Sequence, residues 1–332
     1  MPPDQSAGSG TISIALCTYN GSRFLPAQLA SYLNQDRMPH ELVVGDDGST
    51  DETRSMIEQF ARTAPFPVHF HSNPERLGVG RNFDETIQRC SGEFIALSDQ
   101  DDEWRPDKLA CLAGLLERHT SAGYACSDAT LIDESSESLS SHLWEQYRCP
   151  PGQFLQSDSL AAGRHLLFES DRVLGATMML RSASLRLLHP IPTSWLHDHW
   201  YSVMCELIDA HGVSSSEELT RYRLHGEQTC GLRRPVGKYR PKKREFARRQ
   251  TDRIRRRERL IELRKHLVEQ VIPVQPRLTH WLSVLDEADR IAEEAIIRDC
   301  QPWWQRKLDR LKRWWSAART SGIRRHHGLD QT

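Results

Sequence analysis

No run in this 332-residue chain approaches the roughly 18 apolar residues that a membrane-spanning helix needs, and Met1 to Gly10 is polar and lacks the apolar core of an export signal. The expectation is a cytoplasmic protein, at most peripheral on the inner face of the cell membrane. The eight cysteines (Cys17, Cys90, Cys111, Cys126, Cys149, Cys205, Cys230 and Cys300) are scattered, with no C-x-x-C pair and no Cys/His spacing suited to zinc. They read as reduced thiols, which excludes a disulfide framework. A glycine-rich phosphate loop is also missing: Gly78-Val79-Gly80 does not immediately follow a strand pattern and has no third glycine. Net charge is nearly absent at -1, but the balance hides a division. Residues 233–332 carry 27 Lys+Arg against 13 Asp+Glu, a net of +14, which leaves -15 on residues 1–232.

With 38% hydrophobic residues the chain can fill one good core plus something smaller, so two parts are expected. After a flexible start over 1–10, short β-rich runs alternate with helical stretches. The pattern predicts strands over Thr11–Cys17, Glu41–Gly45, Pro67–His71 and Glu93–Ser98, and helices over Arg23–Gln35, Asp51–Ala61 and Gly80–Cys90. This βαβαβαβ rhythm implies an α/β fold with a parallel, Rossmann-like sheet and right-handed crossovers. Farther on the pattern predicts a helix over Lys108–His119, strands over Tyr124–Ser127 and Gly175–Arg181, and a helix over Asp198–Ala210. The Ser- and Pro-rich stretch Asp133–Ser157 reads as a long loop over the site. From about Lys242 the chain reads as helical, in three amphipathic segments (Lys242–Val271, Pro276–Asp299 and Pro302–Arg319) separated by prolines.

Two acidic clusters end alternate strand patterns: Asp46-Asp47-Gly48-Ser49 after the second, and Asp99-Gln100-Asp101-Asp102 after the fourth. Parallel strands put both at one sheet edge, where open α/β sheets bind ligands. Crowded carboxylates repel one another and resist desolvation, so a strand that ends in them hands them to a cation or to solvent. An Asp at such an edge can accept a hydrogen bond from a base N–H or a ribose hydroxyl, and a D-x-D pair can hold Mg²⁺ or Mn²⁺ bridging a diphosphate. Gly48 permits a tight turn beside the ligand. The bland alternative is a solvated acidic turn that caps the next helix.

In these residues the chain resembles the family 2 glycosyltransferases with the GT-A fold. The resemblance covers roughly 11–232. It rests on Ile14-Ala15-Leu16-Cys17-Thr18-Tyr19-Asn20-Gly21, the Asp46 to Asp51 block, the Arg81-Asn82 pair, and Gly92 to Asp102. In detail it is most similar to bacterial rhamnosyltransferases of surface polysaccharide assembly, whose strand often ends in a similar Ser-Asp-Gln-Asp-Asp-x-Trp. The resemblance implies an inverting, metal-dependent sugar transfer from a nucleotide-diphosphate donor to a saccharide or lipid-linked saccharide acceptor, with rhamnose the sugar suggested by the narrower likeness. It implies that Tyr19 stacks near the base, that Asp47 accepts from base or ribose, and that Asn20 and Arg81 belong to the donor site. It further implies that Asp99 and Asp101 form the metal motif for Mn²⁺ or Mg²⁺, with Asp101 the direct ligand. Gly175, Ala176 and Thr177 match the loop under the donor sugar. Within His197-Asp198-His199-Trp200, Asp198 matches the catalytic base, and His197 stands where Glu is more usual. His225, in Arg221 to Gly226, matches the histidine supplied to metal or diphosphate.

Two other readings accompany this one. A nucleotidyltransferase also joins strand-end acids to such a sheet, but it places a Gly-rich loop where this chain has Thr18-Tyr19-Asn20-Gly21. A non-catalytic nucleotide-sugar or polysaccharide-binding protein could use the same scaffold. In the last segment Trp304, Leu308, Leu311 and Trp315 form an apolar stripe among Arg306, Lys307, Arg310, Lys312 and Arg313. Such a helix suits an anionic membrane surface, or packing on the catalytic domain or a second subunit. Nucleic acid is disfavoured as a partner because no recognised binding module accompanies the basic tail.

Overall fold

The strands at the centre of the sheet are built from residues that can be buried on both faces. In a computed structural model, which describes residues 10–146, 173–228 and 242–300, β1 (Ile12–Thr18), β2 (Glu41–Asp46) and β4 (Phe94–Ser98) are buried along their whole length. That is the signature of interior parallel strands covered by helices. β1 lies between β2 and β4 and runs parallel to both, so Ile14 is level with Leu42 on one side and Ala96 on the other. β3 (Val68–Ser72) continues the parallel set beyond β2. The helices α1 (Leu25–Leu33), α2 (Thr53–Ala61) and α3 (Val79–Gln88) fill the crossovers. Leu29 and Tyr32 of α1 and Ile57 of α2 join Ile14, Leu16, Leu42 and Val44 in the core.

Beyond β4 the sheet becomes mixed. β5 (Glu103–Trp104) and α4 (Lys108–Arg118) precede the long strand β6 (Tyr124–Ile132), and β7 (Ser138–His142) pairs with β6 ahead of the short α5 (Leu143–Gln146). β8 (Met178–Arg181) lies antiparallel between β4 and β6, α6 spans His197–Leu207, and β9 (Gly212–Arg223) runs parallel to β6. The order is β3-β2-β1-β4-β8-β6-β9-β5.

Several expectations change here. The stretch Asp133–Ser157 is not a plain loop, since it contains β7 and α5; residues 147–157 lie outside the described residues. Gly175–Thr177 is a 3-10 turn rather than the start of a strand, because Thr177 turns both its amide (3.0 Å) and its hydroxyl (2.9 Å) back to the Leu174 carbonyl. β6 continues five residues past Ser127 because β9, a strand absent from the expectations, pairs with it as far as Ile132 and Arg223.

The chain divides into two compact units, the first comprising 1–238 with 270–278 and the second 239–269 with 279–332. In the second, α7 (Lys242–His266) runs on into a π-type turn (Leu267–Val271), and α8 (His280–Cys300) packs against α7. Arg257 pairs with Asp289 (2.8 Å) and Glu293 (3.2 Å), and Arg264 with Asp286 (2.7 Å). The expected helix over 302–319 lies outside the described residues. Among the described residues no helix is long and apolar enough to cross a membrane.

Candidate active site at the sheet edge

The parallel register brings the ends of β1, β2 and β4 to one edge, with Thr18 level with Asp46 and Leu16 level with Ser98. The first loop there is pinned from both sides. Asn20 adopts a positive φ of 48°, which Asn tolerates better than most residues. Its side-chain oxygen accepts the Thr50 amide at 2.8 Å, and its own amide donates to Ser49 Oγ at 2.9 Å. Gly48, with φ 84°, makes the turn that lets the second loop reach it. Asp46 is buried and accepts Thr18 Oγ1 (2.8 Å) and the Ser49 amide (2.9 Å), so it staples the loops together. Gln100, inside the acidic motif, accepts the Tyr19 amide at 2.8 Å and donates to the Tyr19 carbonyl at 3.0 Å. This clamp was not read from the sequence, where Gln100 stood only as a spacer between acids.

Asp47 and Tyr19 share a second loop. The Asp47 carboxylate is buried and accepts the Leu77 amide (2.7 Å), the Gly78 amide (2.9 Å) and Asn73 Nδ2 (3.1 Å). Asn82 supports Asn73 at 2.9 Å and donates to the Gly45 carbonyl at 2.8 Å. Arg76 from the same loop lies over the Tyr19 ring, 3.8 Å from its centroid, with Asp47 at 3.9 Å. Arg81 is exposed in the first turn of α3. The cation beside Tyr19 is therefore Arg76, a residue the sequence reading did not select.

The acids after β4 diverge in role. Asp101 Oδ2 meets His225 Nε2 at 2.8 Å, across 124 positions of sequence, because β9 pairs antiparallel with β5, the strand that directly follows the acids, and delivers His225 just beyond Arg223. Asp102 points inward: its Oδ1 accepts the Arg223 amide at 2.9 Å, and its Oδ2 makes no hydrogen bond among the described residues. Burial, with Asp101 and Asp99 close by, holds its carboxyl well above the ordinary range. Asp99 is pushed up to about 8 by desolvation and by the carboxylates of Asp101 and Asp198. The counterweight is Lys108, fully buried at the start of α4. Its ammonium donates to the Ala176 carbonyl at 2.6 Å and lies 4.0 Å from the Trp104 ring centroid. Burial depresses Lys108 to about 7 against the opposing pull of Asp102 and Asp99.

Asp198 enters from the opposite side, in the first turn of α6. Its Oδ2 accepts the Gly175 amide at 3.1 Å and its Oδ1 the His199 amide at 2.7 Å. The neighbouring His197 turns the other way and stacks on Phe83 of α3, with ring centroids 3.7 Å apart. Burial drives His197 down to about 3, so the ring is neutral, and its nitrogens have no hydrogen-bond partner among the described residues. A Cβ at Gly175 would overlap His197 Nε2, which explains why that position carries glycine. Of the two adjacent residues, Asp198 faces the acidic cluster and His197 faces the core.

Among the described residues no group of three or more His, Cys, Asp or Glu side chains stands in metal-holding geometry. The donor chemistry nonetheless fits a hard divalent cation. Asp101 and His225 offer adjacent oxygen and nitrogen ligands, and Mg²⁺ or Mn²⁺ commonly takes only one or two protein ligands beside substrate phosphates and water. The elevated Asp99 marks a concentration of negative charge that such an ion would relieve.

The chain is similar to known glycosyltransferases. An abequosyltransferase, RfbV, of Salmonella typhimurium is 32% identical over 108 residues, which are 32% of this chain and 32% of that one. A dTDP-rhamnosyl transferase, RfbG, of Shigella flexneri is 33% identical over 98 residues, 28% of this chain and 34% of that one. The match thus spans about a third of the length of each relative. An uncharacterized glycosyltransferase of Haemophilus influenzae is 24% identical over 225 residues, 67% of this chain and 68% of its own. Among solved structures, S. aureus TarS 1–349 in complex with UDP-GlcNAc superposes with a TM-score of 0.50 at 18% identity, over 74% of this chain and 66% of that one, a likeness of GT-A fold. The family described as Glycosyl transferase family 2 matches residues 13–181, just over half of the chain, and the protein belongs to that family.

Proposed function

We propose that this chain is an inverting glycosyltransferase that moves a sugar from a nucleotide-diphosphate donor to a hydroxyl of a saccharide or lipid-linked saccharide. The observation that carries the reading is the position of Asp198, facing Asp99 from α6 while Asp101 and His225 meet at the end of β4. In such a transfer the acceptor oxygen attacks the anomeric carbon as the bond to the diphosphate breaks, and the acceptor proton passes to a carboxylate. Asp198 takes that proton, held in orientation by the Gly175 and His199 amides. Tyr19 offers a ring for the base, and the 3-10 turn Gly175–Thr177 underlies the sugar. A divalent cation bound beside Asp101 and His225 would neutralise charge gathering on the departing diphosphate.

The RfbG likeness supports rhamnose as the donor sugar, and the resemblance of Ser98 to Trp104 to rhamnosyltransferases of surface polysaccharide assembly supports that role. The basic region 233–332 supports work at an anionic membrane face, where a lipid-linked acceptor would lie. The test is transfer by Asp198→Asn. With Asp198 as the base, turnover falls by about a thousandfold or more while donor binding stays within a few-fold of the parent. Retained turnover assigns the proton to another group. Donor binding without turnover in the parent protein favours a binding role instead.

A further inference from the structure

The end of β9 buries a positive charge beside the acids. The Arg223 side chain is 1% exposed, and every nitrogen of its guanidinium is engaged. Nε donates to the Asp101 carbonyl at 2.7 Å, Nη1 to the Asp133 carbonyl (2.8 Å) and the Ser136 hydroxyl (3.1 Å), and Nη2 to Glu103 Oε1 at 2.6 Å. The Arg223 amide donates to Asp102 Oδ1. One side chain thereby joins the acidic loop after β4, the strand β5, the turn between β6 and β7 and the end of β9.

An ion pair this deeply buried adds little net stability, because desolvation offsets most of its attraction. What a planar guanidinium supplies is direction: its donors point along fixed lines, so groups held on three sides of it cannot drift independently. Arg223 reaches both members of the Asp101–His225 pair. It holds Asp101 through that residue's carbonyl, and His225 through the chain two residues on. There the imidazole also rests against the Phe24 ring, with centroids 4.7 Å apart, and Phe24 lies 5.0 Å from the Arg223 guanidinium carbon. The contact between carboxylate and imidazole therefore depends on a side chain that hydrogen-bonds to neither of them.

The geometry points to Arg223 as the positioning residue of this site: by fixing the Asp101 backbone and the approach of His225, it sets the place for the divalent cation. The role of the cation rests on the sugar-transfer reading, whereas the Asp101–His225 contact does not. Full-length protein with isotope-labelled histidine is compared by nitrogen NMR as parent, Arg223→Met and Arg223→Lys, with circular dichroism to verify folding. The His225 imidazole signals are identified by their loss in His225→Gln, and Asp101→Asn shows how they move when the contact is broken. Arg223→Met should move them in the same way. Arg223→Lys, which keeps the charge and part of the hydrogen bonding, should move them less, and it carries the comparison if the methionine variant does not fold. Calorimetry with UDP and dTDP then follows the gain in affinity on adding Mn²⁺. Arg223→Met should weaken that gain about tenfold or more, the usual cost of removing a residue that orients a metal ligand, while affinity without the cation stays within about twofold. Unmoved His225 signals in the folded variants overturn the proposal, as does an intact Mn²⁺ gain in Arg223→Met that Asp101→Ala abolishes. His225 signals that move while the parent shows no Mn²⁺ gain uphold the positioning of the pair and overturn the cation reading instead.

Discussion

The Arg76 guanidinium lies over the Tyr19 ring, 3.8 Å from its centroid, on a loop whose amides are gathered by Asp47. One short loop thereby braces both the Tyr19 ring, proposed to stack on the base, and the carboxylate at the end of β2. Arg76 is more than half exposed, which limits such a contact to a fraction of a kcal/mol up to about 1 kcal/mol. Replacing Arg76 with Ala is therefore expected to weaken nucleotide binding only about two- to fivefold, through a less ordered Tyr19. Tyr19→Ala, which removes the stacking surface itself, should cost about tenfold or more. Calorimetry with nucleoside diphosphates separates the two; tighter binding by Arg76→Ala would mean that the arginine competes with the base.

Gly175 and His197 are packed so closely that an added methyl group collides with the ring. Gly175→Ala should lower stability by about 1–3 kcal/mol, the usual range for overpacking a well-filled site. Because the strain is shared, Gly175→Ala combined with His197→Ala should cost less than the two single changes added together. Urea unfolding of the four proteins in this cycle gives the answer, and strict additivity would contradict the contact.

Asp99, ordinarily near 3.8, is pushed up to about 8. Between those values the folded protein keeps a proton that the unfolded chain releases, so the contribution of Asp99 is fully present below about pH 4 and is lost as pH rises towards 8. Lys108, lowered to about 7, works in the opposite direction above that pH, so the clean window is pH 4 to 7. Metal-free Asp99→Asn should match the parent in Tm near pH 4 and exceed it increasingly up to pH 7. Equal pH slopes for the two proteins would contradict the assignment.

The sheet edge was legible because β1, β2 and β4 are largely apolar runs that lead into Asn20-Gly21, Asp47-Gly48 and Asp99, and parallel pairing then leaves little choice of edge. The pairing of Asp101 with His225 was legible only through resemblance, since nothing local to His225 reveals that β9 pairs with β5 and so brings it back to the acids. β9 itself was missed because the polar run Ser214, Ser215, Ser216, Glu217 and Glu218 carries no apolar alternation, and its strand conformation comes from pairing with β6. Lys108 read as an ordinary helix residue, and only the fold shows it buried beneath the acids with its ammonium on the Ala176 carbonyl. Arg76 and Gln100 escaped notice for a similar reason. Each acts on a backbone or ring brought near by folding, and long-range contacts of this kind leave no periodic trace in sequence.

The central claim, that the edge formed by Tyr19, Asp99, Asp101 and His225 binds a nucleotide-diphosphate sugar, is tested most directly by calorimetry. The titrants are nucleoside diphosphates and nucleotide sugars, dTDP-rhamnose and UDP-sugars among them, with and without Mn²⁺ or Mg²⁺. The prediction is saturable binding of one nucleotide sugar that strengthens at least tenfold with the cation and loses that gain in Asp101→Ala. Binding that ignores both the cation and Asp101, or no binding by any member of the panel, would contradict it.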